Sequence, residues 1–168
     1  MDMIERVTTT FSTACADLIQ TLQKIETELS LDKRTSPEDQ LKIPIHNFLS
    51  EVSRTRPTQV NVFTEHRQGS EDQVQGVRLD IAVKNRSGQL VGHIELKAPA
   101  KSANPYSPSG WSEHDKAQWK RLAKHSNLIY TNGWEWTLLR HGVNRPVAHI
   151  VLNPDQSGPL SSEQIDEL

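Results

Sequence analysis

The sequence predicts an α/β (α+β) domain in which helices cover a central sheet, and three observations carry that prediction. Residues 77–84 and 90–97 alternate apolar and polar side chains with the period of a strand, and Asn85-Arg86-Ser87-Gly88 between them has turn chemistry. The segments on either side carry apolar residues at helical spacing behind capping signals. Asn132-Gly133, set between two further apolar runs, is the dipeptide that favours a two-residue hairpin. A chain of 168 residues is long enough to bury one core of its own.

Composition narrows the class. Hydrophobic residues make up 35% and the mean hydropathy is −0.62, polar for a globular domain, yet the periodic segments argue against wholesale disorder. A formal net charge of −2 rules out a polycation, so a nucleic-acid surface would have to be a local patch. The single Cys15 excludes an internal disulfide framework and a cysteine-based zinc cluster. No apolar run reaches membrane-spanning length and no signal-peptide pattern opens the sequence, so the expectation is a cytoplasmic protein with no membrane partner.

In chain order, residues 1–30 form a helix, because Phe11, Leu18, Ile19, Leu22, Ile25 and Leu29 recur at spacings of three, four and seven. With its connection it makes an N-terminal helical extension over 1–35. Ser36-Pro37-Glu38-Asp39 opens a second helix with a cap, a first-position proline and first-turn acids. That helix runs to about Arg54 with a stripe of Leu41, Ile45, Phe48, Leu49 and Val52. Pro44 inside it should kink the helix or move its true start downstream. Residues 59–65 alternate as a strand, 68–76 form a polar loop, and the 77–99 hairpin follows.

Residues 100–110 are a loop rich in Pro, Ser and Asn. Ser112-Glu113-His114-Asp115 is a capping box, so a helix should span 112–125 with Trp119, Leu122 and Ala123 on its buried side. Leu128 to Thr131 reads as a strand. It is followed by a type I′ turn at Asn132-Gly133, a returning strand over 134–140 and a last one over 147–152. The main domain thus occupies 36–152, and 153–168, rich in Ser and acids, reads as a linker or tail to something longer.

The hairpin carries the chemistry. A period of two puts Ile81 and Val83 on one face and Asp80 on the other, and it sets Glu95 and Lys97 opposite Ile94 and Leu96. If the runs pair, Asp80 lies on the face of Glu95 and Lys97, directly across or one diagonal step away. Two carboxylates and an ammonium at one sheet edge suit metal-dependent phosphodiester cleavage. Asp80 and Glu95 would hold the metal, with the carbonyl of Ile94 or Leu96 as a further ligand candidate. Lys97 would orient the attacking water or stabilise developing negative charge. A one-residue slip in either strand would send Asp80 to the wrong face. His93 shares the Glu95 face and reads as a surface strand histidine.

Asp80, followed fourteen residues later by Ile94-Glu95-Leu96-Lys97, resembles the acid–gap–acid-x-Lys motif of the PD-(D/E)XK nuclease superfamily, with Leu79 where the motif has Pro. The stretch from Asp80 through Gln118 and the run from Asn127 to Trp136 are similar to the N-terminal nuclease domain of type ISP-like restriction enzymes, which are endonuclease–methyltransferase fusions. The resemblance covers residues 36–152. It implies an αβββαβ restriction-endonuclease-like core, a mixed central sheet flanked by helices, with an N-terminal helix and a C-terminal β-hairpin added. It implies a Mg²⁺-dependent deoxyribonuclease, Mn²⁺ substituting, in a restriction-modification or phage-defence enzyme. A further acid on the first core helix is implied, with Glu38 as the nearest match and Glu51 as runner-up. A Gln-x-x-x-Tyr glutamine is matched by Gln118, with Leu122 in place of the Tyr.

The implied partners are double-stranded DNA, helicase or methyltransferase domains of the same polypeptide, and a second copy in a transient dimer for double-strand cleavage. Lys101, Lys116, Lys120, Arg121 and Lys124 are the candidate phosphate contacts. Two other readings stand beside this one: a catalytically silent nuclease-like module that docks DNA or a protein, and a nuclease acting on RNA.

Overall fold

A computed structural model describes residues 3–31, 36–54, 56, 58–64, 73–74, 77–78, 80–125 and 127–152; side chains are described from residue 10 and not within 73–78. The expectations for Glu65, Leu79, most of the 68–76 loop and the 153–168 tail lie outside the described residues.

Helix α1 (Met3–Leu31) and helix α2 (Pro37–Arg54) pack against each other and against one face of the sheet. Leu18, Ile19, Leu22 and Ile25 of α1 join Leu41 and Ile45 of α2 in a core with Ile81, Ile94 and Leu96. The Ser36 hydroxyl accepts the Asp39 N–H (3.4 Å), so α2 begins where the capping signals put it. Pro44 does not displace that start. The helix is continuous through it, held on either side by fully buried Leu41 and Ile45.

Six strands make the sheet, in the order β1 (Asn61–Thr64), β4 (Ile81–Lys84), β5 (Leu90–Leu96), β6 (Leu128–Thr131), β7 (Glu135–Leu139) and β8 (Ala148–Val151). All neighbours are antiparallel except β5 and β6. That parallel pair needs a crossover, which helix α3 (Glu113–Leu122) supplies. The result is a mixed α+β restriction-endonuclease-like core. Strand alternation divides it: Ile94 pairs with Ile129 facing α1 and α2, while Leu128 and Tyr130 face a second cluster with Trp111, Trp119 and Leu122.

Four local expectations are corrected. The predicted strand over 77–84 is two pieces. A short β3 (Val77–Arg78) pairs with β2 (Gln73–Val74), which lies inside the predicted polar loop, and β4 starts only at Ile81. Asp80 accounts for the break, because its carboxylate accepts the Leu96 N–H (2.9 Å) where a ladder carbonyl would otherwise do so. The alternation of β5 is also not uniform. Register shifts between Val83 and Lys84, so Val91 has no cross-strand partner and Leu90 falls out of phase with Gly92.

Helix α3 ends at Leu122 with Ala123 as its cap, short of residue 125. The β6–β7 turn is not type I′: Gly133 has φ +93°, but Asn132 does not share the positive φ that type requires. The Asn132 side chain sets the turn instead, its Oδ1 accepting the N–H groups of Trp134 (3.0 Å) and Glu135 (2.7 Å).

Candidate active site

The register decides whether the three charged residues meet. Ile81 pairs with Ile94 and Ala82 with His93, and Asp80, just before β4, is close enough for its charge to raise the Glu95 carboxyl. Glu95 and Lys97 share one face of the sheet, and Asp80 stands just before β4, with its carboxylate on the Leu96 N–H. That face is covered, with Glu95 and Lys97 only 3% and 2% exposed. Burial of both ions at this depth is costly unless each charge is met by a partner.

Lys97 meets that condition fully. Its ammonium lies 3.1 Å from Glu95 Oε1, 2.8 Å from Gln118 Oε1 and 3.2 Å from Asp115 Oδ1. Two of these are hydrogen bonds, to Glu95 and Gln118, and Asp115 completes the set as an ion pair. The rings of Trp111 and Tyr130 lie 5.6 and 5.5 Å from the same nitrogen and add their electron-rich faces. Burial opposes the positive charge, but the carboxylates of Glu95 and Asp115 outweigh it and hold the ammonium above the usual lysine range.

Glu95 is less well served. One oxygen accepts from Lys97, and Oε2 is buried with no hydrogen-bond partner. Burial, reinforced by the nearby Asp80 charge and opposed by Lys97, pushes its carboxyl up to about 8. Asp80 lies 3.4 Å from the Lys42 ammonium of α2. Sequence reasoning passed over Lys42, because its spacing on α2 is that of any solvated lysine.

Glu38 reaches the same end of the sheet. Its Oε1 accepts the Ala98 N–H (3.1 Å) and lies 3.7 Å from Lys101 Nζ. Glu51 does not take part; it pairs with Arg54 (2.7 Å) and lines the groove between α1 and α2. Lys101, expected to face DNA, turns inward to Asp115 (2.9 Å). The loop carrying it is tied down at residues 101–103: Glu135 accepts from Ser102 Oγ and the Ala103 N–H, and the Asn132 amide donates to the Lys101 carbonyl (2.7 Å). Lys116 pairs with Glu113 (2.7 Å), and Lys120, Arg121 and Lys124 are exposed along and just beyond α3.

Asp115 is the residue that sequence reasoning assigned only to helix capping. It does cap, with Oδ2 accepting the Ser112 N–H (2.8 Å) and hydroxyl (2.7 Å), but its other oxygen faces Lys97. Despite its burial, bonds from Ser112 and Lys101 hold its carboxyl well below the usual aspartate range. Its position three residues before Gln118 was the available signal, since i and i+3 share a helix face. His93, expected at the surface, is buried edge-on against His125, with ring centroids 5.7 Å apart. The reason is that α3 and the chain following it cover this face of β5.

Among the described residues no three His, Cys, Asp or Glu side chains form a metal cluster. The residues present nonetheless fit a hard divalent cation: the Asp80 and Glu95 carboxylates are close enough for their charges to interact, and Glu95 Oε2 is buried without a partner.

No family model and no curated protein matches the chain. A solved structure does: a cryo-electron-microscopy structure of a DrdV–DNA complex is similar at TM-score 0.54 with 21% sequence identity, over 90% of this chain and 96% of that one. At that identity the likeness shows that the two chains share a fold.

Proposed function

We propose that this chain is a metal-dependent endonuclease domain that hydrolyses phosphodiester bonds of double-stranded DNA. The observation that carries the reading is the approach of Asp80 to the buried Glu95–Lys97 pair, with Glu95 Oε2 unpartnered. The structural neighbour is a complex with DNA, which agrees with it. Asp80 and Glu95 would hold Mg²⁺, or Mn²⁺ in its place. Bound there, the ion supplies Lewis acidity and offsets charge on the phosphate.

The rest falls to the chain's own groups. As a water oxygen bonds to phosphorus and the bond to the leaving sugar oxygen breaks, negative charge collects on the non-bridging oxygens. The Lys97 ammonium, held by Glu95, Gln118 and Asp115 and kept protonated by the two carboxylates, acts there as a fixed positive charge rather than as a base. Gln118 orients it (2.8 Å), and Glu38 fixes the backbone just past Lys97 through the Ala98 N–H. Exposed Lys120, Arg121 and Lys124 supply phosphate contacts. We place the domain within a larger restriction-modification or phage-defence polypeptide with helicase or methyltransferase domains, cutting both strands through a transient dimer.

Plasmid nicking in Mg²⁺ tests this directly. Asp80→Ala and Lys97→Ala should abolish cleavage while circular dichroism shows a folded protein. Cutting at the wild-type rate by both variants would refute the assignment, and a structured RNA run alongside establishes the substrate.

A further inference from the structure

We infer that Asp115 is a positioning residue of the cleavage reaction, acting through Lys97; this rests on the nuclease reading above. Of the three acceptors around the Lys97 ammonium, Glu95 is the one that would turn toward a cation and Gln118 is neutral. Asp115 is the remaining anion. It is itself 3% exposed and cannot swing away, because its second oxygen is held by the Ser112 N–H, the Ser112 hydroxyl and Lys101. An ammonium 2% exposed has no water to replace a lost acceptor.

Asp115 therefore anchors Lys97 from the α3 side. The anchor persists whether or not Glu95 is otherwise engaged. Lys101 bridges Asp115 to Glu38 (2.9 and 3.7 Å), which links this anchor to the backbone after Lys97. Misplacing a catalytic charge by about 1 Å is enough to cost on the order of 10²-fold in rate.

The test is single-turnover cleavage of a DNA duplex by purified chain in Mg²⁺, with Mn²⁺ and DNA affinities measured separately. Asp115→Asn and Asp115→Ser both keep an oxygen for the Ser112 cap and both remove the anion from Lys97. Each should lower the cleavage rate by about 10- to 100-fold and leave both affinities within twofold of wild type. Ser112→Ala, which weakens the cap but retains the carboxylate, should lower Tm and leave the rate within a few-fold. Having two Asp115 variants keeps the test open should one fail to fold.

Wild-type rates in a folded Asp115 variant would overturn the inference alone. So would a parallel loss of metal or DNA affinity, or a Ser112→Ala rate as low as that of Asp115→Asn. A wild-type chain that binds DNA and Mn²⁺ but cuts nothing overturns the nuclease reading, and the inference with it.

Discussion

Replacing Glu95 by Gln should stabilise the metal-free protein at alkaline pH, although the residue lies at the centre of the site. In the fold the Glu95 carboxyl is raised from 4.5 to about 8, by burial first and by the Asp80 charge second. The folded state therefore binds this proton more tightly than the unfolded chain. Stability from this group is fully present below about pH 4.5 and is lost as pH rises toward 8, after which it is flat. Each pH unit in that window costs about 1.4 kcal/mol, a ceiling of about 5 kcal/mol. Gln keeps an oxygen for Lys97 and never ionises, and Asp115 still partners the ammonium. The attraction of Lys97 is already contained in that raised value, so we expect a net gain of up to about 4 kcal/mol for the variant at pH 8.5 relative to pH 5. Urea unfolding in EDTA from pH 5 to 9 measures it. Parallel stability curves for the two proteins across that range would refute the reasoning.

Three further outcomes follow from the same geometry. Mn²⁺ at 100 times its Kd should raise wild-type stability by about 2.7 kcal/mol, and this gain should vanish on chelation and in Asp80→Ala, as read by thermal shift. Gly133→Ala should cost about 2–4 kcal/mol, because φ is +93° and the new Cβ would sit 2.5 Å from Leu22 Cδ2. In a Leu22→Ala background the added cost of Gly133→Ala should shrink toward the backbone share, about 1–2 kcal/mol, in a denaturation cycle. Replacing Lys120, Arg121 and Lys124 by Ala should flatten the salt dependence of DNA binding by up to about 3 in log–log slope, measured by fluorescence anisotropy.

Element types were legible because they depend on local pattern. The stripe of α2, the Ser112 cap and the alternation of β5 are each written within a few residues, and each element forms close to where it was placed. Boundaries were less legible where a side chain competes with the backbone. Asp80 takes a ladder N–H and cuts one predicted strand in two, and Asn132 takes two turn N–H groups and changes the turn type. The exposure of charged residues was misread for a related reason. Lys101 looks like a surface cation in a polar loop, yet Asp115 and Glu38, distant in sequence, draw it inward.

The sequence by itself determined that Glu95 and Lys97 share the polar side of β5, because a period of two holds over that end of the strand. It could not say that Asp80 would leave the strand, take the Leu96 N–H and bring its charge close to Glu95. Nor could it say that α3 would lie over that face, burying Glu95 and Lys97 and bringing Gln118 and Asp115 to the ammonium. Those depend on long-range contacts. Only the tertiary structure removes water from the hairpin's polar face, and that removal turns three solvated charges into a site in which each charge depends on its neighbours.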